Sequence, residues 1–158
     1  MNIAIVGATG NVGRKLLDVL DKKNFQITEL FLVASPKSAG KKIKFKNEEL
    51  IVEDLNNFDF SKVKLAFFAA GSAIAEKWAP IAAEKTIVID NSKFFRKDPQ
   101  IPLVVPEVNS KELAHVKHKN IIANANCSVI PIVVALKPLH DLYSVKRIVA
   151  STYQSVSG

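Results

Sequence analysis

The residue with the clearest chemical potential is Cys127, the single cysteine of the chain. It lies directly before an apolar stretch that is typical of a helix. Pro131 requires this helix to begin near Cys127 or Ser128, because proline is tolerated in a first helical turn but not further in. The amide groups and the dipole at a helix N-terminus favour the thiolate, which is the nucleophilic form of cysteine. The position therefore predicts a reactive nucleophile, and a buried structural cysteine is the alternative.

A second chemical signal is the loop of Gly7, Gly10 and Gly13, which follows a short apolar run and precedes leucines at helical spacing. Glycines at this spacing let the backbone turn sharply and approach a pyrophosphate at a helix N-terminus. Because the flanking strand and helix are both indicated, we expect a dinucleotide cradle. The expected cofactor contacts in this loop are Gly7, Thr9, Gly10, Asn11, Val12 and Gly13. A glycine turn without a ligand is the alternative.

The residues after the second predicted strand indicate which dinucleotide binds. A site selective for NAD carries an Asp or Glu roughly 20 residues beyond the last glycine, where it binds a ribose hydroxyl. This chain has Ser35, Lys37 and Ser38 in that region, and two hydroxyls with a cation suit a 2′-phosphate. We therefore expect NADP as the cofactor. The alternative is that Lys37 is only a surface lysine in a turn.

These residues need a scaffold, and the chain alternates predicted strands with predicted helices. Strands are expected at residues 2–6, 29–34, 64–69, 86–90, 121–123 and 145–153, with shorter ones at 43–45 and 50–52. Helices are expected after residue 13, at 72–84 and at 128–139, with a short polar helix capped by Ser110, while the proline-rich residues 98–106 should be irregular. This alternation predicts a Rossmann-like, doubly wound α/β fold with a mostly parallel sheet and a ligand at the carboxyl ends of its strands.

The composition limits the possible classes of protein. The 158 residues are 48% apolar and 23% charged, which suits one globular core. The net charge of +7 includes lysine clusters at residues 37–46 and 111–119, but no known nucleic-acid-binding module accompanies them; we expect solvated faces and a small-anion site rather than nucleic-acid binding. No apolar run reaches the roughly 20 residues of a membrane span, and no leader pattern is present, so we expect a cytoplasmic protein without a membrane partner.

Six segments carry a specific resemblance to a known family. They are GATGNVG at 7–13, ASPKSAGK at 34–41, IDNSKFFRKDPQIPLVVPEVN at 89–109, NANCS at 124–128, ALKPLHD at 135–141 and STYQSVSG at 151–158. In this order and at these distances they resemble the aspartate-semialdehyde dehydrogenase family over the whole chain. Ala125, Pro131 and Lys37 replace the family's common proline, glutamine and arginine, and only Lys37 weakens an expected contact, that with the 2′-phosphate.

The resemblance implies that Cys127 attacks an aspartyl phosphate, expels phosphate and forms an acyl thioester, which NADPH reduces to the semialdehyde. It also implies that Arg96, with Asn91, holds the substrate and its phosphate, and that Gln154 orients the substrate. An exposed, stacked Arg96 and an outward-facing Gln154 are the alternatives. Asn126 precedes the thiol, so its amide could donate to a developing oxyanion or could instead cap the helix. The remaining expected cofactor contacts are Gly71, Ser157 and Gly158.

The resemblance also divides the chain into two parts. Residues 1–126 are expected to form the NADP-binding domain, and residues 127–158 the start of a catalytic and dimerisation domain that is cut short. The family's acid/base histidine follows the last motif, so His115, His118 and His140 are not expected to fill that role, and the fragment is expected to be inactive alone. The implied protein is a homodimer in the biosynthesis of lysine through diaminopimelate, of methionine and of threonine.

Two other functions remain open at this point. N-acetylglutamyl-phosphate reductase uses similar cysteine chemistry on a longer acyl phosphate, although NANCS and STYQSVSG argue against it. A nucleotide-binding module that does no chemistry is the other alternative. His115 and His118 stand three residues apart in a lysine-rich segment, where a solvated face is expected rather than a metal site.

Overall fold

The computed structural model describes residues 1–23 and 25–153, apart from the side chains of residues 115, 117 and 118. Its strands are β1 (Asn2–Val6), β2 (Glu29–Ala34), β3 (Lys42–Phe45), β4 (Glu48–Asp54), β5 (Leu65–Phe68), β6 (Ile87–Asp90), β7 (Leu103–Val104) and β8 (Ile121–Asn124). They form one sheet in the order β3-β4-β2-β1-β5-β6-β8-β7, in which every neighbouring pair is parallel except the β3–β4 hairpin.

The α-helices are α1 (Asn11–Lys22), α2 (Ser72–Ala83), α3 (Pro106–Asn109) and α4 (Val129–Tyr143). Short 3-10 helices occupy Pro36–Ser38, Leu55–Asn57, Phe60–Lys62 and Phe95–Lys97, and a longer one Ser110–His118. None of the described helices has the length and apolarity that a membrane span requires.

The core has two layers because alternate residues of each strand point to opposite faces of the sheet. On one face, Ile5 of β1 packs with Leu17 and Leu20 of α1. On the other face, Ala4 and Val6 pack in the cluster that includes the small residues of α2 and the aromatic residues that follow β4. Helices therefore cover both faces, as the near-continuous apolar strands predicted. The Rossmann-like, doubly wound fold predicted from the sequence is confirmed.

The chain reverses its direction of winding at β1, which lies between β2 and β5. Ligands of doubly wound folds bind outside the carboxyl ends of the strands at such a switch point. In the parallel part of the sheet all carboxyl ends lie on one side, which we call the carboxyl edge and define by Gly7, Ser35, Ala69, Asn91 and Ala125, the residues that follow β1, β2, β5, β6 and β8. The predicted chemical residues that the structure describes therefore lie along one edge of the sheet.

The last predicted strand is wrong. Residues 145–153 adopt no strand, although their apolar alternation is typical of one. Val149 is 81% exposed and Tyr153 is 100% exposed, so the segment lies on the surface without a neighbouring strand. A strand requires hydrogen bonds to a partner strand, which a pattern along the chain cannot supply.

Three smaller predictions also differ from the structure. The proline-rich residues 98–106 are not wholly irregular, because β7 pairs in parallel with β8 and the prolines flank it. Ser110 is not the N-cap of the polar helix, since it is the first residue of the 3-10 helix Ser110–His118, whose N-cap is Asn109. Helix α4 begins where Pro131 indicated but continues to Tyr143, despite the proline at 138.

Candidate functional site

The glycine loop between β1 and α1 has a geometry that only glycine permits. Gly7 has a φ of +90°, and a Cβ atom there would lie 2.7 Å from the carbonyl carbon and oxygen of Ala69. Its amide donates to the carbonyl of Val33 at 2.8 Å. The loop is therefore clamped between the carboxyl ends of β2 and β5, at the switch point of the sheet.

The first turn of α1 packs directly on this loop. Gly13 is buried, and a Cβ atom there would lie 2.3 Å from the carbonyl oxygen of Gly7. Gly10 is the N-cap residue, and its carbonyl accepts from the amide of Arg14 at 2.9 Å. The first amides of a helix have no intrahelical acceptor, so those of Asn11, Val12 and Gly13 are available to an anion.

A cleft of about 340 Å³ opens beside this loop at the carboxyl edge. It is lined by Val6, Gly7, Thr9, Gly10, Ala34, Ser35, Leu55, Ala69, Ala70 and Ile74. Four of the predicted cofactor residues therefore line one cleft. The other wall is apolar. Its residues Ala69 and Ala70, which follow β5, and Ile74 of α2 were not predicted, because apolar residues look like core until strand pairing places β5 beside β1.

The remaining predicted cofactor residues surround this cleft. Lys37 and Ser38 form a 3-10 turn with Pro36 directly after β2, with Lys37 exposed and Ser38 half-buried. Gly71 has a φ of +86° at the start of α2, with open space where a side chain would lie. The glycine cradle, the helix N-terminus and a cation beyond β2 together fit a phosphorylated dinucleotide.

A larger cleft of about 660 Å³ lies elsewhere, where β2 and the β3–β4 hairpin diverge. It is lined by residues such as Glu29, Phe31, Phe45 and Glu48 at the amino end of β2. It contains neither a helix N-terminus nor any of the predicted site residues. We therefore assign the candidate site to the smaller cleft, on the grounds of chemistry rather than size.

Arg96 is held between the ends of β6 and β8. Its Nε donates to the carbonyl of Asn124 at 2.9 Å, and its Nη2 donates to the carbonyl of Asn91 at 3.0 Å. The side chains of these two asparagines are joined, because Asn124 Nδ2 donates to Asn91 Oδ1 at 2.6 Å. Arg96 is half-buried, so the alternative of an exposed, stacked arginine is wrong. Phe95, its neighbour, is buried and packs edge-on against Phe94.

Asp90, at the end of β6, is a buried charge that sequence analysis missed. Its two carboxylate oxygens accept from the Ser92 amide at 3.0 Å and the Ser92 hydroxyl at 2.6 Å. Burial raises the pKa of this carboxyl above its ordinary value, while the bonds from Ser92 and the charge of Arg96 act in the opposite direction. Asp90 and Ser92 form the turn between β6 and Arg96. The sequence Asp-Asn-Ser, which is typical of turns, was the only local signal for it.

Cys127 is exposed, so the alternative of a buried structural cysteine is wrong. It precedes α4, as predicted, in a turn that Asn126 stabilises: Asn126 Oδ1 accepts from the Ser128 amide at 2.9 Å and from the Ser128 hydroxyl at 2.6 Å. The backbone carbonyl of Asn126 also accepts from the amides of Val129 and Ile130, both at 3.0 Å. Asn126 therefore closes the turn that leads into Ser128, the N-cap residue of α4, and donation to an oxyanion stays a prediction.

The thiol, the arginine and the glycine loop share the carboxyl edge. The carbonyl that Arg96 binds belongs to Asn124, and the three residues from there to Cys127 span at most about 11 Å. Strands β1 and β8 are three positions apart, which corresponds to roughly 14 Å across the sheet.

Three predicted residues cannot be placed. Gln154, Ser157 and Gly158 lie outside the described residues. Among the described side chains, which do not include those of His115 and His118, no group of three or more His, Cys, Asp and Glu residues is arranged to hold a metal ion.

Comparison with known proteins gives consistent matches. Residues 2–116 match the family model described as semialdehyde dehydrogenase, NAD binding domain. Aspartate-semialdehyde dehydrogenase 2 of Vibrio cholerae is 51% identical over 158 residues, which are 99% of this chain and 47% of that relative. The crystal structure of aspartate semialdehyde dehydrogenase II from Vibrio cholerae, complexed with ASA, has a TM-score of 0.87 and 51% identity, and covers 89% of this chain and 46% of that one.

A more distant structure gives the same fold. Aspartate semialdehyde dehydrogenase from Candida albicans, with NADP, has a TM-score of 0.73 and 26% identity, and covers 91% of this chain and 48% of that one. The chain spans about half the length of the curated relatives it matches. From its glycine loop, its sheet order and these matches, the chain belongs to the semialdehyde dehydrogenase family, with that family's NAD-binding domain at residues 2–116.

Proposed function

We propose that the protein catalyses the NADPH-dependent reductive dephosphorylation of L-aspartyl 4-phosphate to L-aspartate 4-semialdehyde. The observation that carries this proposal is the arrangement at the end of β8. There an exposed Cys127 lies in the turn that precedes helix α4, while Arg96 binds the backbone carbonyl three residues earlier. The thiol and the guanidinium share the carboxyl edge with the glycine-loop cleft, which supports the assignment of a nucleophile, a phosphate site and a dinucleotide site, the set of groups that an acyl phosphate reductase requires.

The cofactor site follows from the glycine loop. The amides of Asn11, Val12 and Gly13 would bind the pyrophosphate, and Ser35, Lys37 and Ser38 are placed beyond β2 for a 2′-phosphate. Bound NADPH would supply the hydride that reduces the acyl group. The relative from Candida albicans was crystallised with NADP, which supports the same choice for this chain.

The chemistry at Cys127 has two steps. The thiolate sulfur attacks the acyl carbon, the bond from carbon to the phosphate oxygen breaks, and phosphate leaves toward Arg96, so that a thioester remains. Reduction of the thioester carbon then breaks its bond to sulfur and releases the aldehyde and the thiolate. The side-chain oxygen of Asn126 accepts from Ser128, and we propose that the NH₂ group of the same side chain donates to the oxyanion.

Other parts of the proposal rest on the family alone. Gln154 is proposed to orient the substrate, Ser157 and Gly158 to contact the nicotinamide, and residues 127–158 to begin the catalytic and dimerisation domain. We propose a cytoplasmic homodimer that serves lysine, methionine and threonine biosynthesis, and we expect residues 1–158 alone to be inactive. The relative from Vibrio cholerae was crystallised with ASA, which supports the substrate class.

The reverse reaction tests this function in the natural protein that contains this chain. We expect L-aspartate semialdehyde, inorganic phosphate and NADP⁺ to give NADPH, followed by its absorbance, and we expect no NADPH when phosphate is omitted. N-acetylglutamate semialdehyde is the matched comparison substrate. Equal or faster turnover of that longer aldehyde would contradict the proposal, and so would NADPH formation that does not depend on phosphate.

A further inference from the structure

We infer that Asn124 is a positioning residue for the phosphate site, acting through Asn91 on the orientation of Arg96. The inference rests on the proposed function, because it assumes that Arg96 binds phosphate. It assigns a role to Asn124, which the motif around Cys127 did not suggest, and it changes the role of Asn91 from a substrate contact to a support of the arginine.

The first step concerns the free edge of the Arg96 guanidinium. Arginine has five N–H donors, and two of them, on Nε and Nη2, donate to the carbonyls of Asn124 and Asn91. These two donors lie along one edge of the planar group. The end formed by Nη1 and the second N–H of Nη2 hydrogen-bonds to no described residue, and it is the edge suited to two phosphate oxygens.

The second step concerns what fixes the two carbonyls. Asp90 and Ala123 are the last residues paired between β6 and β8, although Asn124 still pairs with Val104 of β7 and the Asn91 amide donates to the carbonyl of Phe68. The β6–β8 ladder itself does not join Asn91 to Asn124. The 2.6 Å bond between Asn124 Nδ2 and Asn91 Oδ1 joins them, and both carbonyls that hold Arg96 belong to the residues so joined.

The third step connects the arginine to the nucleophile. Asn124 carries the carbonyl that Arg96 binds, and the next residue, Ala125, is buried, so the chain is fixed on both sides of this carbonyl. Asn126 then forms the turn that presents Cys127. One residue therefore sets both the direction of the guanidinium and the start of the segment that bears the thiol, which fits a site where phosphate must leave beside the sulfur.

Protection of Cys127 from alkylation tests the inference without the need for turnover. Inorganic phosphate should slow the reaction of iodoacetamide with Cys127, and the concentration dependence gives the phosphate affinity. We expect Asn124→Ala to weaken this affinity about 5- to 10-fold, the loss of one well-placed hydrogen bond. Asn91→Ala should have a similar effect, and the double variant should be no weaker than either single one, because both remove the same bond.

The matched control is Asn120→Gly. Asn120 lies just before β8, where its Nδ2 donates to the carbonyl of Ala83 at 2.9 Å, and its φ of +53° suits glycine. Asn120→Gly should lower the thermal stability as much as Asn124→Ala does, but it should leave the phosphate affinity unchanged. In the natural protein, Asn124→Ala should raise the KM for phosphate more than it lowers kcat, a split that a purely structural role would not produce.

The outcomes separate the inference from the function it rests on. If Arg96→Ala abolishes protection while Asn124→Ala and Asn91→Ala leave it unchanged, the positioning role is overturned and the phosphate site stands. If the losses of phosphate affinity add up in the double variant, the two asparagines do not act through one shared hydrogen bond, and the inference is overturned as well. If phosphate gives no protection even to the unaltered protein, or if Arg96→Ala does not weaken it, the proposed phosphate site itself fails.

Discussion

A Cβ atom on Gly13 would lie 2.3 Å from the carbonyl oxygen of Gly7, so the first helical turn of α1 rests on the backbone of the loop before it. This contact decides how closely the helix N-terminus approaches the cleft. Because both partners are backbone, neither can rotate away from an added side chain. The cradle is therefore a rigid feature, and small changes in it should be measurable.

Gly13→Ala should be destabilising, although alanine is the better helix former by about 1 kcal/mol. The clash with Gly7 must push the helix off the loop, and overpacking of this kind costs about 1–3 kcal/mol. Urea unfolding of the variant and the unaltered chain measures the difference. Gly40→Ala is the control: its φ of +81° predicts a loss of about 1–2 kcal/mol from backbone strain alone, since no atom lies within 4 Å of the added Cβ. A Gly13→Ala protein as stable as the unaltered chain would show that the loop is not closely packed.

Lys37→Ala should weaken NADPH binding about 5-fold and leave NADH binding unchanged. Lys37 is expected to donate a charge-assisted hydrogen bond to the 2′-phosphate, and its exposure to solvent weakens that bond, so the expected effect is modest. NADH lacks the 2′-phosphate, so its affinity should not change. Fluorescence titration with both dinucleotides checks this. Lys44→Ala, an exposed lysine on β3, is the matched control and should change neither affinity. Equal weakening of both dinucleotides by Lys37→Ala would argue against a 2′-phosphate contact.

Arg96→Lys should raise the KM for phosphate about 10-fold or more and change kcat less. Lysine has a single charged nitrogen, so it cannot bind the two carbonyls and still present two donors to a phosphate. Steady-state kinetics of the natural protein provide the measurement, and Lys97→Ala, an exposed cation in the same 3-10 helix, serves as control. An unchanged KM with a large loss of kcat would place Arg96 elsewhere in the mechanism.

Asp90→Asn should change how stability depends on pH. Burial raises the pKa of Asp90 above 3.8, so its contribution to folding is fully present below pH 3.8 and is lost as the pH rises through the folded-state pKa. The variant lacks this loss, and its stability relative to the unaltered chain should therefore rise from acid to neutral pH. Unfolding by urea across this range measures the difference.

Asp59→Asn should change the pH dependence of stability in the opposite direction. Hydrogen bonds from the Ser61 side chain and amide lower the pKa of the exposed Asp59, so its contribution is present above pH 3.8 and is lost as the pH falls. The stability of this variant relative to the unaltered chain should fall slightly from acid to neutral pH. The same direction for both variants would contradict the assignment of burial as the dominant cause at Asp90.

Sequence analysis recovered the features that local chemistry determines. The strands at Asn2–Val6 and Glu29–Ala34 are bounded as predicted, because apolar runs and the glycine loop mark their ends. The start of α4 was confirmed because Pro131 restricts where a helix can begin. These signals lie within a few residues of the structure they specify.

Features that depend on distant residues were not predicted. The bond between Asn91 and Asn124 joins residues 33 positions apart, and only the β6–β8 pairing brings them together. The apolar wall from Ala69 to Ile74 was likewise hidden until β5 was placed beside β1. The opposite error occurred at residues 145–153, where an alternating pattern predicted a strand that has no partner among the described residues.

The central claim is that Cys127 carries the acyl group. Rapid mixing of the natural protein with L-aspartyl phosphate in the absence of NADPH, followed by acid quench and peptide mass spectrometry, tests it most directly. We expect the peptide containing Cys127 to gain the mass of one aspartyl group, released by hydroxylamine and absent in Cys127→Ala. An unmodified Cys127 in a protein that turns over once NADPH is added, or an aspartyl group on another residue, would contradict the account.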